Sequence, residues 1–219
     1  MAPQITEIVY IPLRPDVDLD HGDAGNIWTD TLNTIATQPG CQSVLWGRQV
    51  EQPKTAELVI DWATLDDHKT FMASPTYKPF YENLSTLLDG PVKLYHVESP
   101  SSQSFSTPGS APVTECISIY FEPSYSTAAY DASFAKFADV ASKTADEAQG
   151  VVGGWSIEDH EHEKVEGAAK LFAVFIGWPS VEAHMKYRQT EGFKECIPHL
   201  REGPKALQMH HVAFKKHLS

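Results

Sequence analysis

Residues 5–13 crowd β-branched and aromatic side chains into an alternating run, which predicts a strand ending at Pro12 or Pro15. The period then changes. Across residues 26–37, Ile27, Thr31, Leu32, Ile35 and Ala36 recur at helical spacing, and Pro39 with Gly40 stops the helix. Residues 42–50 and 56–62 return to strand-like composition and predict a hairpin joined around Pro53. Thr64 with Asp67 resembles a capping box, and Leu65, His68, Phe71 and Met72 follow on one helical face. Ser74 and Pro75 interrupt that helix; it resumes through Tyr77, Phe80, Tyr81, Leu84 and Leu88 until Gly90 and Pro91 close it. Residues 92–97 form the last strand. The order is β-α-β-β-α-β, the ferredoxin-like arrangement.

The same order recurs in the rest of the chain. Strands are predicted over residues 113–121, 151–158, 168–178 and 206–214, and helices over 127–148 and, in two pieces, 179–200. Individual residues repeat as well: Trp62, Leu65 and His68 are answered by Trp178, Val181 and His184, and Thr6-Glu7 by Thr114-Glu115. Such self-similarity marks a duplicated unit. Residues 99–112 are rich in serine and proline and read as a linker between a first unit, 1–98, and a second, 113–219. A four-stranded sheet with its helices on one face leaves the other face apolar, and two such sheets can cover each other. The expected fold class is therefore α+β: two tandem ferredoxin-like units forming an intramolecular barrel, an internal pseudo-dimer. Whether an edge is left for further self-association stays open.

Composition removes several function classes. A net charge of −12 with no basic stripe disfavours nucleic acid as a partner. No apolar stretch approaches the roughly 18 residues of a membrane span, and the first residues lack the basic-then-apolar pattern of a secretory signal. Cys41, Cys116 and Cys196 are unpatterned, which suits a reducing compartment, so a cytoplasmic location is expected. Gly-rich phosphate loops, Gly-x-Ser-x-Gly elbows and His-Glu-x-x-His helices are missing, which disfavours nucleotide-dependent, serine-hydrolase and metalloprotease chemistry.

The Trp-x-x-aliphatic-x-x-His pattern of Trp62, Leu65 and His68, followed by Ser74, Pro75 and Tyr77, resembles the antibiotic biosynthesis monooxygenase family of dimeric α/β barrels. The resemblance covers both halves and is stronger in the first, since Phe193 stands where Tyr77 does. It implies cofactor-free oxygenation, in secondary metabolism, of an electron-rich aromatic or polyketide-like molecule that reduces oxygen itself once deprotonated. Such a site needs a base, a hydrogen bond to the substrate oxygen and a dry aromatic pocket. The same superfamily includes haem-binding proteins, so haem is the alternative cofactor, with His68, His184 or His96 as axial ligand. A non-catalytic protein binding an aromatic or hydrophobic ligand is the alternative of a different class.

On this reading His68 is the candidate base and Tyr77 the orienting hydroxyl. Trp28, Trp46, Trp62, Met72, Phe80 and Tyr81 are candidates for the pocket wall, with Trp178 and His184 as counterparts in the second half. His68 shares its face with Leu65 and Phe71, so a core histidine satisfied by a backbone carbonyl competes with catalysis. His160 and His162 would fall on one side of a hairpin, a spacing that can ligate a metal, but their acidic surroundings read as a solvated tip; no metal is expected there. His210 and His211 must point to opposite faces of the last strand, so one at most lines a given pocket.

Overall fold

Alternation along each strand sorts the side chains into two cores. In the computed structural model, which describes residues 4–98 and 104–218, the first half contains β1 (Ile5–Pro12), α1 (Gly22–Ala36), β2 (Cys41–Arg48), β3 (Thr55–Trp62), α2 (Leu65–Ala73), α3 (Tyr77–Ser85) and β4 (Lys93–Glu98). A short α4 (Ser106–Gly109) follows. The second half contains β5 (Val113–Phe121), α5 (Thr127–Thr144), β6 (Val151–Trp155), β7 (Lys170–Trp178), α6 (Val181–Tyr187), α7 (Glu191–Arg201), β8 (Ala206–Val212) and β9 (Lys215–Leu218). In β1, Ile5, Val9 and Ile11 face the helices of their own half, while Ile8 faces the other sheet.

The strand orders are β4-β1-β3-β2-β9 and β6-β7-β5-β8, so both halves have the ferredoxin-like order and the first sheet gains a fifth strand. All pairings within the sheets are antiparallel. Between the sheets lies a shared core in which Ile8, Leu45, Val59 and Val97 meet Cys116, Val152, Leu171, Phe175 and Val212. Two seams close the sheets into a barrel. At one, Val50 N–H donates to the His211 carbonyl at 2.8 Å beside a bridge between Gln49 and Val212; at the other, Ile157 N–H donates to the His96 carbonyl at 2.8 Å beside a bridge between Val97 and Ser156. Glycine makes the approach possible. A Cβ on Gly154 would sit 2.6 Å from Val97 Cγ1 and 2.9 Å from the Glu98 carbonyl, and one on Gly47 would sit 2.6 Å from Val212 Cγ1 and 2.8 Å from the Ala213 carbonyl.

Local sequence explains the helix starts. Thr64, Ser180 and Thr190 each cap a helix by accepting the backbone N–H three residues on. The expected break at Ser74 and Pro75 separates α2 from α3, and among the described residues no helix is long and apolar enough to cross a membrane.

Three features differ from the sequence reading. Of the serine- and proline-rich segment, residues 99–103 lie outside the described residues, but the remainder is packed into the fold. Phe105 is fully buried against Phe175, and the Ser104 and Ser106 hydroxyls donate to the buried carboxylate of Asp61 at 2.5 and 2.6 Å. Serine supplies there the donors that a buried carboxylate requires. The strand expected over 151–158 ends at Trp155, because Ser156 to Glu158 turn into the seam. Finally, β9 crosses back to cover the β2 edge, where Lys215 Nζ lies 4.6 Å from the Trp46 ring and 2.6 Å from Asp20.

Candidate active site

Glu7 occupies the side of β1 that carries Ile5, Val9 and Ile11, so a carboxyl group is held in an apolar layer. Its Oε2 accepts the Trp62 indole N–H at 2.8 Å from the adjacent β3. Its Oε1 lies 3.6 Å from His68 Nε2 on the first turn of α2. The Trp62 and His68 rings stack with centroids 5.2 Å apart, which explains why these residues keep their spacing. His68 Nδ1 in turn lies 2.7 Å from His96 Nε2 on β4. His96 Nδ1 lies 2.6 Å from Glu158 Oε1, and Glu158 Oε2 also accepts the His96 backbone N–H at 2.7 Å. Glu158 belongs to the second half, so the line Glu7, His68, His96, Glu158 crosses the seam.

The second half carries the same line with its terminal carboxylate borrowed from the first. Trp178 N–H donates to Glu115 Oε2 at 3.1 Å, and His184 Nε2 lies 3.4 Å from that atom. His184 Nδ1 lies 2.8 Å from His211 Nε2, and His211 Nδ1 lies 2.6 Å from Glu51 Oε1. The expectation that His210 and His211 face opposite ways is met: His211 is in this relay and His210 is in the barrel.

The environment sets the protons. Burial pushes the Glu7 carboxyl up to about 7 against the opposing pull of the Trp62 hydrogen bond and of His96. Burial, reinforced by His96 and opposed by the Glu158 charge, brings His68 down to about 4. Burial alone would raise Glu158, but the His96 side-chain and backbone hydrogen bonds outweigh it and bring the carboxyl to about 2. Glu158 is therefore an acceptor, which puts a proton on His96 Nδ1; in a neutral imidazole that leaves Nε2 to accept from His68 Nδ1. His68 Nε2 is then a lone pair turned toward Glu7. The second relay behaves alike: burial raises Glu115 to about 7 and, with His211 and then Arg188, lowers His184 to about 4.

A cavity of about 310 Å³ opens beside the first relay. Glu7, Trp62 and His68 form its polar end, Phe71, Tyr77, Phe80 and Tyr81 form an aromatic wall, and Val9, Ile11, Leu58 and Ile60 form the sheet-side floor. Burial, and then the charge of Glu7, raise the Tyr77 hydroxyl above the usual tyrosine range. In the second half, Tyr187, Phe193, Cys196 and Leu200 hold the places of Phe71, Tyr77, Phe80 and Leu84 and join the helix-side core. The Tyr187 hydroxyl is tied to Thr144 Oγ1 at 2.8 Å and lies 3.4 Å from Cys196 Sγ.

The structure thus gathers His68, Tyr77, Trp62, Phe80 and Tyr81 around one cavity. Trp178 and His184 lie in the second relay. Trp28 and Trp46 pack on each other, centroids 5.4 Å apart, in the α1 core and do not line the cavity; Met72 points outward at 38% exposure. His160 and His162 both lie against Tyr120, and His160 Nε2 is 2.8 Å from the Ser156 hydroxyl. Four carboxylates, Glu7, Glu51, Glu115 and Glu158, join the histidines in these relays, and the sequence reading did not nominate them. The signal for two of them was present: Thr6-Glu7 and Thr114-Glu115 repeat, and each glutamate falls on the apolar side of its strand.

Ligand-type atoms of Glu7, His68 and His96 lie within 4.8 Å of one another. At 2.7 Å, however, the two imidazole nitrogens have hydrogen-bond spacing. Metal–nitrogen bonds of about 2.0–2.1 Å in tetrahedral geometry hold ligand nitrogens farther apart. Both ring nitrogens of His68, His96 and His184 are turned toward relay partners, so an axial bond to haem would require one of those contacts to be given up.

No protein-family model matches this chain, and no curated protein does either. Solved structures do. An anthrone oxidase-like protein matches at a TM-score of 0.70 and 14% identity, over 98% of this chain and 94% of that one. A proposed monooxygenase from Lactobacillus acidophilus NCFM matches at 0.62 and 10% identity, over 99% and 97%. One from Fusobacterium nucleatum matches at 0.62 and 12% identity, over 100% and 95%. The chain therefore has the tandem α/β-barrel fold of these monooxygenase-like proteins, the fold that its sequence resemblance implies.

Proposed function

We propose that the first half is a cofactor-independent monooxygenase site for a compact aromatic or polyketide-like molecule, with Glu7 as the base. The observation that carries this reading is a desolvated carboxyl group with a pKa of about 7 at the end of an aromatic cavity of about 310 Å³. A base is most effective when its pKa lies near the working pH, and cavities of this size hold small ligands. The role first assigned to His68 passes to Glu7, because His68 at about 4 is a weak base and its Nδ1 is engaged by His96.

In the reaction Glu7 removes a proton from an activated ring carbon or hydroxyl, and the aromatic wall favours the delocalised anion. The anion passes an electron to dioxygen and the radicals combine at carbon, giving a peroxide. At a methylene carbon, loss of the second C–H proton with O–O cleavage leaves a carbonyl; the other oxygen departs as water. Tyr77 holds the substrate oxygen. The departing oxygen takes the proton held by Glu7 together with the second C–H proton, so no net proton is exported; the line through His68 and His96 to Glu158, whose side chain is 38% exposed, re-equilibrates Glu7 with solvent between turnovers.

Oxygen uptake by the purified chain against a panel of anthrones and hydroquinones tests the proposal. Turnover is expected, and Glu7→Gln, which keeps the Trp62 contact, is expected to lower kcat about 100- to 10,000-fold. Substrates that bind in the cavity without consuming oxygen would leave a binding protein as the function; turnover indifferent to Glu7→Gln would remove this carboxylate as the base.

A further inference from the structure

We propose that Glu57, Cys116 and His210 form a zinc-type transition-metal site inside the barrel, separate from either relay. Cys116 and His210 are direct cross-strand partners on β5 and β8, and Glu57 reaches them from β3 of the opposite sheet. Their ligand atoms lie within 4.8 Å of one another. His210 Nε2 is 2.6 Å from Glu57 Oε2, and Gln49 Nε2 lies 3.3 Å from that oxygen and 3.2 Å from the same ring nitrogen. Glu57 is completely buried; no N–H or O–H among the described residues donates to its Oε1, and the Cys116 thiol is hydrogen-bonded to this carboxylate. A buried carboxylate served by one imidazole, one amide and a weak thiol donor keeps acceptor capacity that a cation would fill.

The duplication supplies a control. By the spacing of Trp62 and Trp178, of Glu7 and Glu115, and of His96 and His211, the equivalents of Glu57, Cys116 and His210 are Ala173, Ile8 and Tyr95. All three belong to the inter-sheet core. The fold therefore builds this corner of the barrel from apolar and aromatic residues once, and the polar triad is an addition rather than a requirement of the architecture. Thiolate, imidazole and carboxylate together suit zinc, and three protein ligands leave a fourth position. His210 and Gln49 also line a chamber of about 1010 Å³ between the sheets, with Tyr10, Tyr95 and His160 on its walls, so a small molecule has a route to that position.

The ion would take the place of the proton between His210 and Glu57, which requires their 2.6 Å contact to widen to ligand spacing, and would displace the Cys116 proton. A thiol must lose its proton to ligate a metal, so binding should release protons and tighten as pH rises.

The test is titration of the chelator-treated full chain with Co2+. One equivalent should bind with a sulfur-to-cobalt charge-transfer band in the near ultraviolet, and Zn2+ should displace it. The band should vanish in Cys116→Ser and affinity should fall at least tenfold in Glu57→Gln, which preserves side-chain shape if the serine variant folds poorly. A parent chain that binds neither ion, or a band that survives in folded Cys116→Ser and so belongs to Cys41 or Cys196, overturns the proposal. Both results are independent of turnover at Glu7.

Discussion

Glu7 and His68 pull the acid–base behaviour of the protein in opposite directions. The Glu7 carboxyl is raised from an ordinary 4.5 to about 7 in the folded chain, so the stability associated with its protonated form is present below about pH 4.5 and is lost as pH rises toward 7. His68 is lowered from 6.5 to about 4, so the folded state resists its protonation and stability is lost as pH falls from 6.5 toward 4. Between pH 4.5 and 6.5 the two nearly cancel. Removing one should expose the other. Glu7→Gln is expected to make stability climb with pH across that window, by an amount on the order of 3 kcal/mol for a shift of this size. Urea unfolding at a series of pH values measures it, and a slope unchanged from the parent would mean that Glu7 is not held protonated. At the same scale, kcat/KM of the parent should rise through a pKa near 7 as Glu7 ionises. Much of this site was legible in the sequence, since the spacing of Trp62, His68, Tyr77, Phe80 and Tyr81 on two short helices is local information. Glu7 was visible only as a repeat marker, because a lone acidic residue in a strand gains meaning from the face it shares. Trp28 and Trp46 misled for the converse reason: aromatic character is common to core and pocket, and only packing separates them.

Each relay spans three elements of one half and ends on a hairpin of the other. Glu158 and Glu51 therefore position histidines whose own halves lack that acceptor. This arrangement was not legible, because it depends on Ser156 to Glu158 leaving the strand and turning into the seam, a non-local consequence of barrel closure. The sequence reading extended that strand through Glu158, and the hairpin drew attention for His160 and His162 instead. Glu158→Gln is expected to destabilise the chain by about 1–2 kcal/mol, below the roughly 1.5–3 kcal/mol of a hydrogen bond to a charged group, since the side chain is partly exposed. It should also release the His96 Nδ1 proton to faster exchange, observable by 15N NMR of the imidazole. A loss of stability no larger than that of Glu161→Gln, on the exposed part of the same hairpin, would mean that the relay does not fix His96. The helices differ in a way that bears on the proposal of a site in the first half. Tyr187 binds Thr144 where Phe71 borders the first cavity, so Tyr187→Phe should cost about 1 kcal/mol without affecting turnover in the first half.

At the scale of the whole molecule, the repeat made the tandem ferredoxin-like plan readable, while α4 and β9 were hidden, being short segments whose structure comes from docking on a preformed surface. The barrel depends on two close backbone approaches, at Gly154 against β4 and at Gly47 against the chain after β8. A side chain at Gly154 would meet Val97 Cγ1 at 2.6 Å and the Glu98 carbonyl at 2.9 Å. Val97 is fully buried and the carbonyl is backbone, so neither can step aside without moving β4. Glycine is not needed here for its conformational freedom, since its φ is not positive; it is needed for space. Gly154→Ala is therefore expected to cost about 1–3 kcal/mol, in the range of overpacked cores, although alanine is the better residue for a strand by backbone entropy alone. The consequence should extend to chemistry. Ile157 and Glu158 follow three and four residues later, and a shift of β4 against them lengthens the contact between His96 and Glu158 on which the first relay ends. Chemical denaturation should accordingly reveal lost stability, and the pH dependence of turnover should move with it, while Gly47→Ala at the other seam should match the loss of stability and perturb His211 and Glu51 instead. Stability within about 0.5 kcal/mol of the parent, the range of ordinary surface changes, would mean that the seam is loose and that the two halves are joined by their apolar sheets alone.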